Sequence, residues 1–288
     1  MHIEVNKLTK QYRNHNVLDE LNFEIKGPAI VGLLGHNGAG KTSFLNIFSG
    51  LVAPSEGSIS INGQSVFDNG ELMKSICIIG ETGNFPAHVT VAQVMKLNQY
   101  FYPNWNNELA EELLVQFSLN KKMKVKTMSK GMVSALGIIT GIASEAPITI
   151  FDEPYIGMDA AGRHLFYDLL IEQFSITPRL IILSTHLIDE ASELFEDVYI
   201  MHEGKLILQQ SYEELQSSVF KVKGTLEDVE RYIVGQQVIH RSQFMKEHIA
   251  VIMSDGNEPL HTGLKREAVK LQELLILLSK NQRKERVQ

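Results

Sequence analysis

Gly35-His36-Asn37-Gly38-Ala39-Gly40-Lys41-Thr42 has the spacing G-x-x-x-x-G-K-[ST] of a phosphate-binding loop. Its glycines let the backbone curl so that successive N–H groups face one point. That nest, set at a helix N-terminus, carries partial positive charge and binds phosphate oxygens. Lys41 is placed to reach the β- and γ-phosphates, and Thr42 to ligate Mg²⁺. Ser43 continues the loop into its helix. His36 occupies a variable position of the motif and is read as solvent-facing rather than catalytic. A second chemical element is Ile148-Thr149-Ile150-Phe151-Asp152-Glu153, an apolar strand ending in two acids. Burying that strand sets Asp152 at the C-terminal edge of a sheet, where open α/β sheets bind ligands. Asp152 can hold the Mg²⁺ shell, and Glu153 can act as general base on an attacking water. A phosphate loop followed by such a strand points to nucleotide hydrolysis.

The elements around these residues fit that reading. Residues 3–5 and 21–25 alternate apolar and polar, as half-buried strands do. Pro28–Leu34 is nearly all apolar and predicts a buried strand running into the glycine-rich turn. Lys41–Leu51 has helical spacing at Phe44, Leu45, Ile47, Phe48 and Leu51. Ser58–Ile61 with Asn62-Gly63 predicts a strand and turn, and Ile76–Ile79 another strand. From Thr90 to Ala143 the pattern is mostly helical. Strand patterns return at 148–151 and 180–183, separated by a helix over 159–174. The alternation predicts a parallel sheet with flanking helices, interrupted by a helical block. Past Gln210 the pattern restarts, with strands predicted at 219–222, 238–239 and 249–253 and helices at 226–234 and 268–278. The residues from Lys280 to Gln288 are polar and basic and are read as a frayed, solvated tail.

The chain of 288 residues carries a net charge of −7, with 44% hydrophobic and 21% charged residues. Global disorder is excluded, and a nucleic-acid-coating role is disfavoured because such proteins are usually basic. The single cysteine, Cys77, rules out a disulfide framework within one chain, suits a reducing compartment, and is read as a small core residue. No apolar run approaches the ~20 residues that span a bilayer.

The order of the remaining elements resembles the nucleotide-binding subunits of ATP-binding-cassette (ABC) transporters, over about residues 1–215. Tyr12 stands where that family has an aromatic stacking on adenine. Met128-Ser129-Lys130-Gly131-Met132 stands in place of the Leu-Ser-Gly-Gly-Gln signature. Tyr155-Ile156-Gly157-Met158-Asp159 is similar to the D-loop, and Ser184-Thr185-His186 to the segment bearing the switch histidine. The resemblance implies an α/β fold: a P-loop NTPase (RecA-like) cassette at 1–215, with a helical subdomain at about 87–144 and a small α+β appendage at 216–288. It implies ATP and Mg²⁺, a second cassette (identical or not) packed head to tail, and a transmembrane permease subunit that holds the chain on the inner face of the cell membrane. Nucleic acid is not an expected partner. Gly35, His36, Asn37, Gly38, Ala39, Gly40, Lys41, Thr42, Ser43 and Tyr12 would bind one nucleotide. Ser129, Gly131 and Asp159 would act across the dimer interface. His186 would contact the γ-phosphate beside the base Glu153.

Three departures from the family pattern stand out. Lys130 replaces a signature glycine and Met132 its glutamine, while Ser129 and Gly131 survive. Ile156 replaces the usual D-loop serine. Glu81 stands where a glutamine usually helps sense Mg²⁺; a carboxylate can ligate the ion but adds negative charge beside the γ-phosphate. The cluster Tyr100-Phe101-Tyr102-Pro103-Asn104-Trp105 is read either as local packing or as part of a groove for a cytoplasmic helix of the membrane partner. Such stretches, with the altered signature, resemble ABC-2-type exporter ATPases for peptides, antimicrobials or other amphipathic compounds. The alternatives are an importer ATPase, a soluble cassette acting on the ribosome or DNA, and a non-hydrolysing ATP sensor.

Overall fold

In the computed structural model, residues 1–254 and 263–285 are described. β1 (His2–Tyr12) and β2 (His15–Lys26) form a long antiparallel hairpin, turning at Arg13 with φ +56°. β3 (Ala29–Leu34) leads through the glycine-rich loop into α1 (Lys41–Phe48). β4 (Glu56–Ile61) and β5 (Gln64–Ser65) turn at Asn62-Gly63, both with positive φ, as that dipeptide predicts. These strands make an antiparallel sheet in the order β2-β1-β4-β5. The short α2 (Gly70–Met73) and β6 (Ile76–Ile79) precede three helices: α3 (Val91–Phe101), α4 (Asn107–Gln116) and α5 (Lys130–Ala143). Thr90 and Gln93 close a reciprocal capping box at the start of α3.

β7 (Ile148–Asp152), α6 (Ala160–Ile176), β8 (Leu180–Ser184), α7 (Ile188–Ala191), β9 (Asp197–His202) and β10 (Lys205–Ser211) complete the main sheet, ordered β10-β9-β3-β8-β7-β6. β6, β7, β8, β3 and β9 are parallel, and β10 is an antiparallel edge. β3, β7 and β8 are buried at every residue, which is why they read as unbroken apolar runs rather than alternating ones. Alternate side chains still go to opposite faces. Ile181, Leu183 and Phe151 join the core under α3–α6, whereas Leu180, Ile182 and Ile150 pack with Phe44, Phe48 and the antiparallel sheet. The sheet is thus covered on one face by helices and on the other by α1 and β1, β2 and β4. The C-terminal ends of β3, β6, β7 and β8 converge on one edge, directly before Gly35, Gly80, Glu153 and Thr185.

Beyond β10, α8 (Tyr212–Ser218), β11 (Val219–Gly224), α9 (Leu226–Tyr232), β12 (Gln237–Phe244), β13 (Glu247–Met253), β14 (Lys265–Ala268) and α10 (Leu271–Glu285) build a third sheet, β12-β13-β11-β14, between two helices. α9 packs Val229 and Tyr232 on Phe220 and Ile252. α10 carries Leu271, Leu274 and Leu275 into the core that also holds Leu194 and Phe195.

Three expectations are corrected. α1 stops at Phe48, and Leu51 is exposed beyond the left-handed Gly50. Ala268, expected to open the last helix, instead ends the strand Lys265–Ala268, which periodicity does not show because all four residues of this edge strand are exposed. The helix expected to end at 278 continues to Glu285, so Lys280–Glu285 is not a frayed tail. Asn281 Nδ2 donates to the Ile239 carbonyl at 2.6 Å, which anchors the added turn. Residues 286–288 lie outside the described residues.

Candidate active site

The loop after β3 depends on left-handed glycines. Gly35, Gly38 and Gly40 have φ of +155°, +81° and +104°. A Cβ on Gly35 would lie 2.4 Å from the Met201 carbonyl oxygen, so the loop is both curled and pressed against β9. Gly35, Ala39, Gly40 and Lys41 are buried, while His36, Asn37, Gly38 and Thr42 are exposed. His36 therefore faces solvent, as its place in the motif suggests.

Lys41 is 7% exposed and donates from Nζ to the carbonyls of Gly35 (2.6 Å) and His36 (3.3 Å). Burial pushes its pKa below the ordinary lysine value, and the charges of Glu153 and Asp152 pull it back up. Thr42 Oγ1 donates to Asp152 Oδ2 at 2.7 Å. Asp152, at the end of β7, is buried. A cavity of about 290 Å³ is lined by Val17, Asn37–Ser43, Glu81, Asp152 and Glu153. Glu81 is exposed at its rim, in the loop after β6. Asn84 braces that loop by accepting from Gly80 N (2.9 Å) and donating to Gly80 O (2.8 Å).

Glu153 takes φ +51°, an uncommon value for a residue with a side chain. Its N–H donates to Ser184 O at 3.0 Å, which ties the turn to the end of β8. Its Oε2 lies 2.6 Å from His186 Nδ1 and accepts from the Tyr155 hydroxyl at 2.9 Å. The Tyr155 oxygen also contacts Thr185 Oγ1, which accepts from Leu187 N at 2.9 Å. Burial and the Glu153 charge hold the Tyr155 phenol far above the usual tyrosine range, so it stays protonated.

The signature segment lies elsewhere. Ser129 caps α5 by accepting from Met132 N at 3.2 Å, and Lys130 is exposed, as a solvated side chain should be. A Cβ on Gly131 would sit 2.5 Å from Gly157 O, and Ser134 Oγ donates to Ile156 O at 2.7 Å. The start of α5 is therefore packed backbone to backbone on the loop after Glu153. Asp159 caps α6 by accepting from Gly162 N at 2.8 Å. Ser129, Gly131, Met132 and Asp159 line a recess of about 470 Å³ that shares no lining residue with the phosphate cavity. Arg163 of α6 grips Glu190 of α7 with two hydrogen bonds, from Nε to Oε2 (2.8 Å) and from Nη2 to Oε1 (3.0 Å).

Within this chain the structure gathers Lys41, Thr42, Ser43, Glu81, Asp152, Glu153 and His186, but not Ser129, Gly131 or Asp159. Tyr12 stands apart at the end of β1, 47% exposed, with the Lys10 ammonium 5.0 Å from its ring centre. A polar cavity of about 520 Å³ beside it is lined by Gln11, Asn14, His15, Asn16, Asp19 and Glu203, and shares Val17 and Gly38 with the phosphate cavity. Sequence reasoning overlooked Val17, Asn84, Thr185 and the Tyr155 hydroxyl. The aromatic cluster of the insert splits: Tyr102 and Trp105 pack on the core, while Tyr100 and Phe101 face outward at 87% and 57% exposure. Cys77 is a fully buried core residue.

A phosphate cradle, a hydroxyl–carboxylate pair and a carboxylate–histidine pair on one sheet edge define a P-loop nucleotide hydrolase. The ABC transporter family model matches residues 18–156, and the chain belongs to the ABC transporter ATP-binding proteins, ATP-binding and ATP-hydrolysing subunits of transporters. It is 33% identical over 220 residues to the bacitracin transport ATP-binding protein BcrA of Bacillus licheniformis, spanning 74% of this chain and 71% of that one. It is 29% identical over 215 residues to the Nod factor export ATP-binding protein I of Neorhizobium galegae, spanning 73% and 62%. A solved ATP-binding subunit of an ABC transporter aligns with a TM-score of 0.68 and 28% identity, over 75% of this chain and 92% of that chain. A dimeric cassette bound to ADP and Pi aligns at 0.64 with 22% identity, over 73% and 98%, a likeness of fold alone. Among the described residues no helix is long and apolar enough to cross a membrane.

Proposed function

We propose that this chain hydrolyses ATP to drive export of a peptide, antimicrobial or other amphipathic compound through a separate transmembrane permease. The observation that carries the reading is the contact of Glu153 with His186 beside the Lys41–Thr42–Asp152 cradle. Export rests on the similarity to the bacitracin and Nod factor proteins. The loop amides and Lys41 bind the ATP phosphates, and Tyr12 takes the adenine. Thr42 and Asp152 are adjacent hard-oxygen donors that suit Mg²⁺, with Glu81 as a third. Bound Mg²⁺ neutralises charge on the β- and γ-phosphates. Glu153 takes the proton of the attacking water, and His186 contacts the γ-phosphate.

The separation of the Ser129–Gly131–Asp159 recess from the phosphate cavity supports a head-to-tail pair of cassettes, each signature closing on the other's nucleotide. The exposed Leu97, Tyr100 and Phe101 of α3 are the surface offered to the permease, which keeps the chain on the inner membrane face. Residues 1–215 form the cassette, with its helical subdomain at 87–144, and residues 216–288 an accessory unit.

The test is an affinity capture of the Glu153→Gln chain from detergent-solubilised membranes with ATP and Mg²⁺, partners being identified by mass spectrometry. The substitution keeps the shape but removes the base, so ATP should bind while turnover falls about 10²–10⁴-fold. A stoichiometric multi-span membrane protein is the expected companion. Ribosomal proteins, or no membrane protein, would overturn the transporter reading.

A further inference from the structure

Tyr155 and Thr185 take no part in the chemistry proposed above, yet both converge on the base. Tyr155 is 3% exposed, so its hydroxyl must find its partners within the protein. Its ring is held edge-on by Tyr167, with centroids 6.5 Å apart. Proton counting orders the contacts. A carboxylate oxygen only accepts, so the single phenolic proton goes to Glu153 Oε2. The Thr185 hydroxyl, which accepts from Leu187 N–H, then has the Tyr155 oxygen as acceptor for its own proton. His186 Nδ1 also meets Glu153 Oε2. Both contacts fall on Oε2, and among the described residues no hydrogen bond reaches Oε1.

The two partners of Oε2 differ in freedom. The His186 side chain is 57% exposed and can turn away toward a γ-phosphate. Tyr155 is walled in and cannot. We propose that Tyr155 is a positioning residue for hydrolysis: it fixes the Glu153 carboxylate through Oε2 and keeps Oε1 facing the attacking water when His186 leaves. Thr185 steers the phenolic proton, and the protonated state of the buried phenol keeps it a donor at neutral pH. This rests on the reading of Glu153 as the base.

The experiment compares the full chain with Tyr155→Phe, Thr185→Val and the double variant. Tyr155→Phe keeps the ring packing and removes one hydrogen bond to a charged group. It should lower kcat about 10- to 100-fold with KM for ATP within about twofold. Thr185→Val should lower kcat less, and should add nothing in the Tyr155→Phe background. A kcat within about twofold of the parent overturns the proposal. So does a loss that follows a fall in melting temperature and moves KM as much as kcat. A second readout needs no turnover. In chain labelled with ¹³C-tyrosine, the Tyr155 Cζ signal, assigned by its loss in Tyr155→Phe, should shift in Glu153→Gln without nucleotide. A signal indifferent to Glu153→Gln overturns the proposal whatever the ATPase rate. A parent with no turnover above Lys41→Ala overturns the ATPase reading instead.

Discussion

Thr42 donates its hydroxyl to Asp152 Oδ2 across 2.7 Å, joining residues 110 positions apart. The bond ties the first turn of α1 to the end of β7. Lys41 is satisfied in the same way, by the carbonyls of its own loop. The side chains of Thr42 and Lys41 therefore already have protein partners. Binding exchanges these hydrogen bonds for others, so affinity rests on the difference between two satisfied states.

Lys41→Ala separates binding from folding. The substitution removes an ammonium whose pKa burial lowers, together with its charge pairing to Asp152 and Glu153. The desolvation relieved and the pairing lost oppose each other. The melting temperature of the nucleotide-free chain should stay within about 4 °C of the parent. The rise caused by ATP and Mg²⁺ should vanish, and turnover should fall to background. Thermal melts with and without nucleotide, beside a phosphate-release assay, check this.

Glu81→Gln tests the acid that stands in place of the usual glutamine. The phosphate cavity holds Glu81, Asp152 and Glu153 against the single ammonium of Lys41. Removing one exposed negative charge from its rim should tighten binding of Mg²⁺-free ATP about two- to fivefold at low salt. The gain should shrink as ionic strength rises. Titration calorimetry at two salt concentrations reads both effects; unchanged affinity at low salt would place Glu81 outside the field of the triphosphate.

The Arg163–Glu190 pair makes stability depend on pH. The Arg163 hydrogen bond is the main cause that holds the Glu190 carboxyl below its usual value. A carboxyl whose folded pKa is depressed contributes its full stability above the unfolded pKa, about 4.3, and loses it as pH falls through the folded value. Arg163→Ala should therefore destabilise the chain by about 0.5–1 kcal/mol at pH 7, because the pair is partly solvated. The difference from the parent should narrow as pH falls below that unfolded value. Melting curves across that range would show the gap narrowing, and a constant gap would trace the effect to packing.

The reach of sequence reasoning followed the range of the contacts involved. Gly35–Thr42 and Ile148–Glu153 are local patterns, and a buried strand must release its last residue at the sheet edge. Their place on the fold was therefore legible. His186 was legible only because a second apolar run, 180–183, ends just before it. The Tyr155–Thr185–Glu153 arrangement was not, because two segments about 30 residues apart meet only through the pairing of β7 with β8. The gathering of β1, β2, β4 and β5 into a separate antiparallel sheet was hidden for the same reason. Strand periodicity reports burial but not partners. β14 escaped because an exposed edge carries no alternation, and the last turn of α10 because its residues are polar.

The contact between Gly131 and Gly157 leaves no room for an intervening side chain, and Ser134 clasps the carbonyl of Ile156. Ile156 adjoins Tyr155, whose hydroxyl rests on Glu153. The first turn of α5 is thus joined to the base by a linkage without backlash: two peptide units and one phenol. Displacing that helix by a fraction of an ångström would re-aim the carboxylate before any larger rearrangement could absorb the motion.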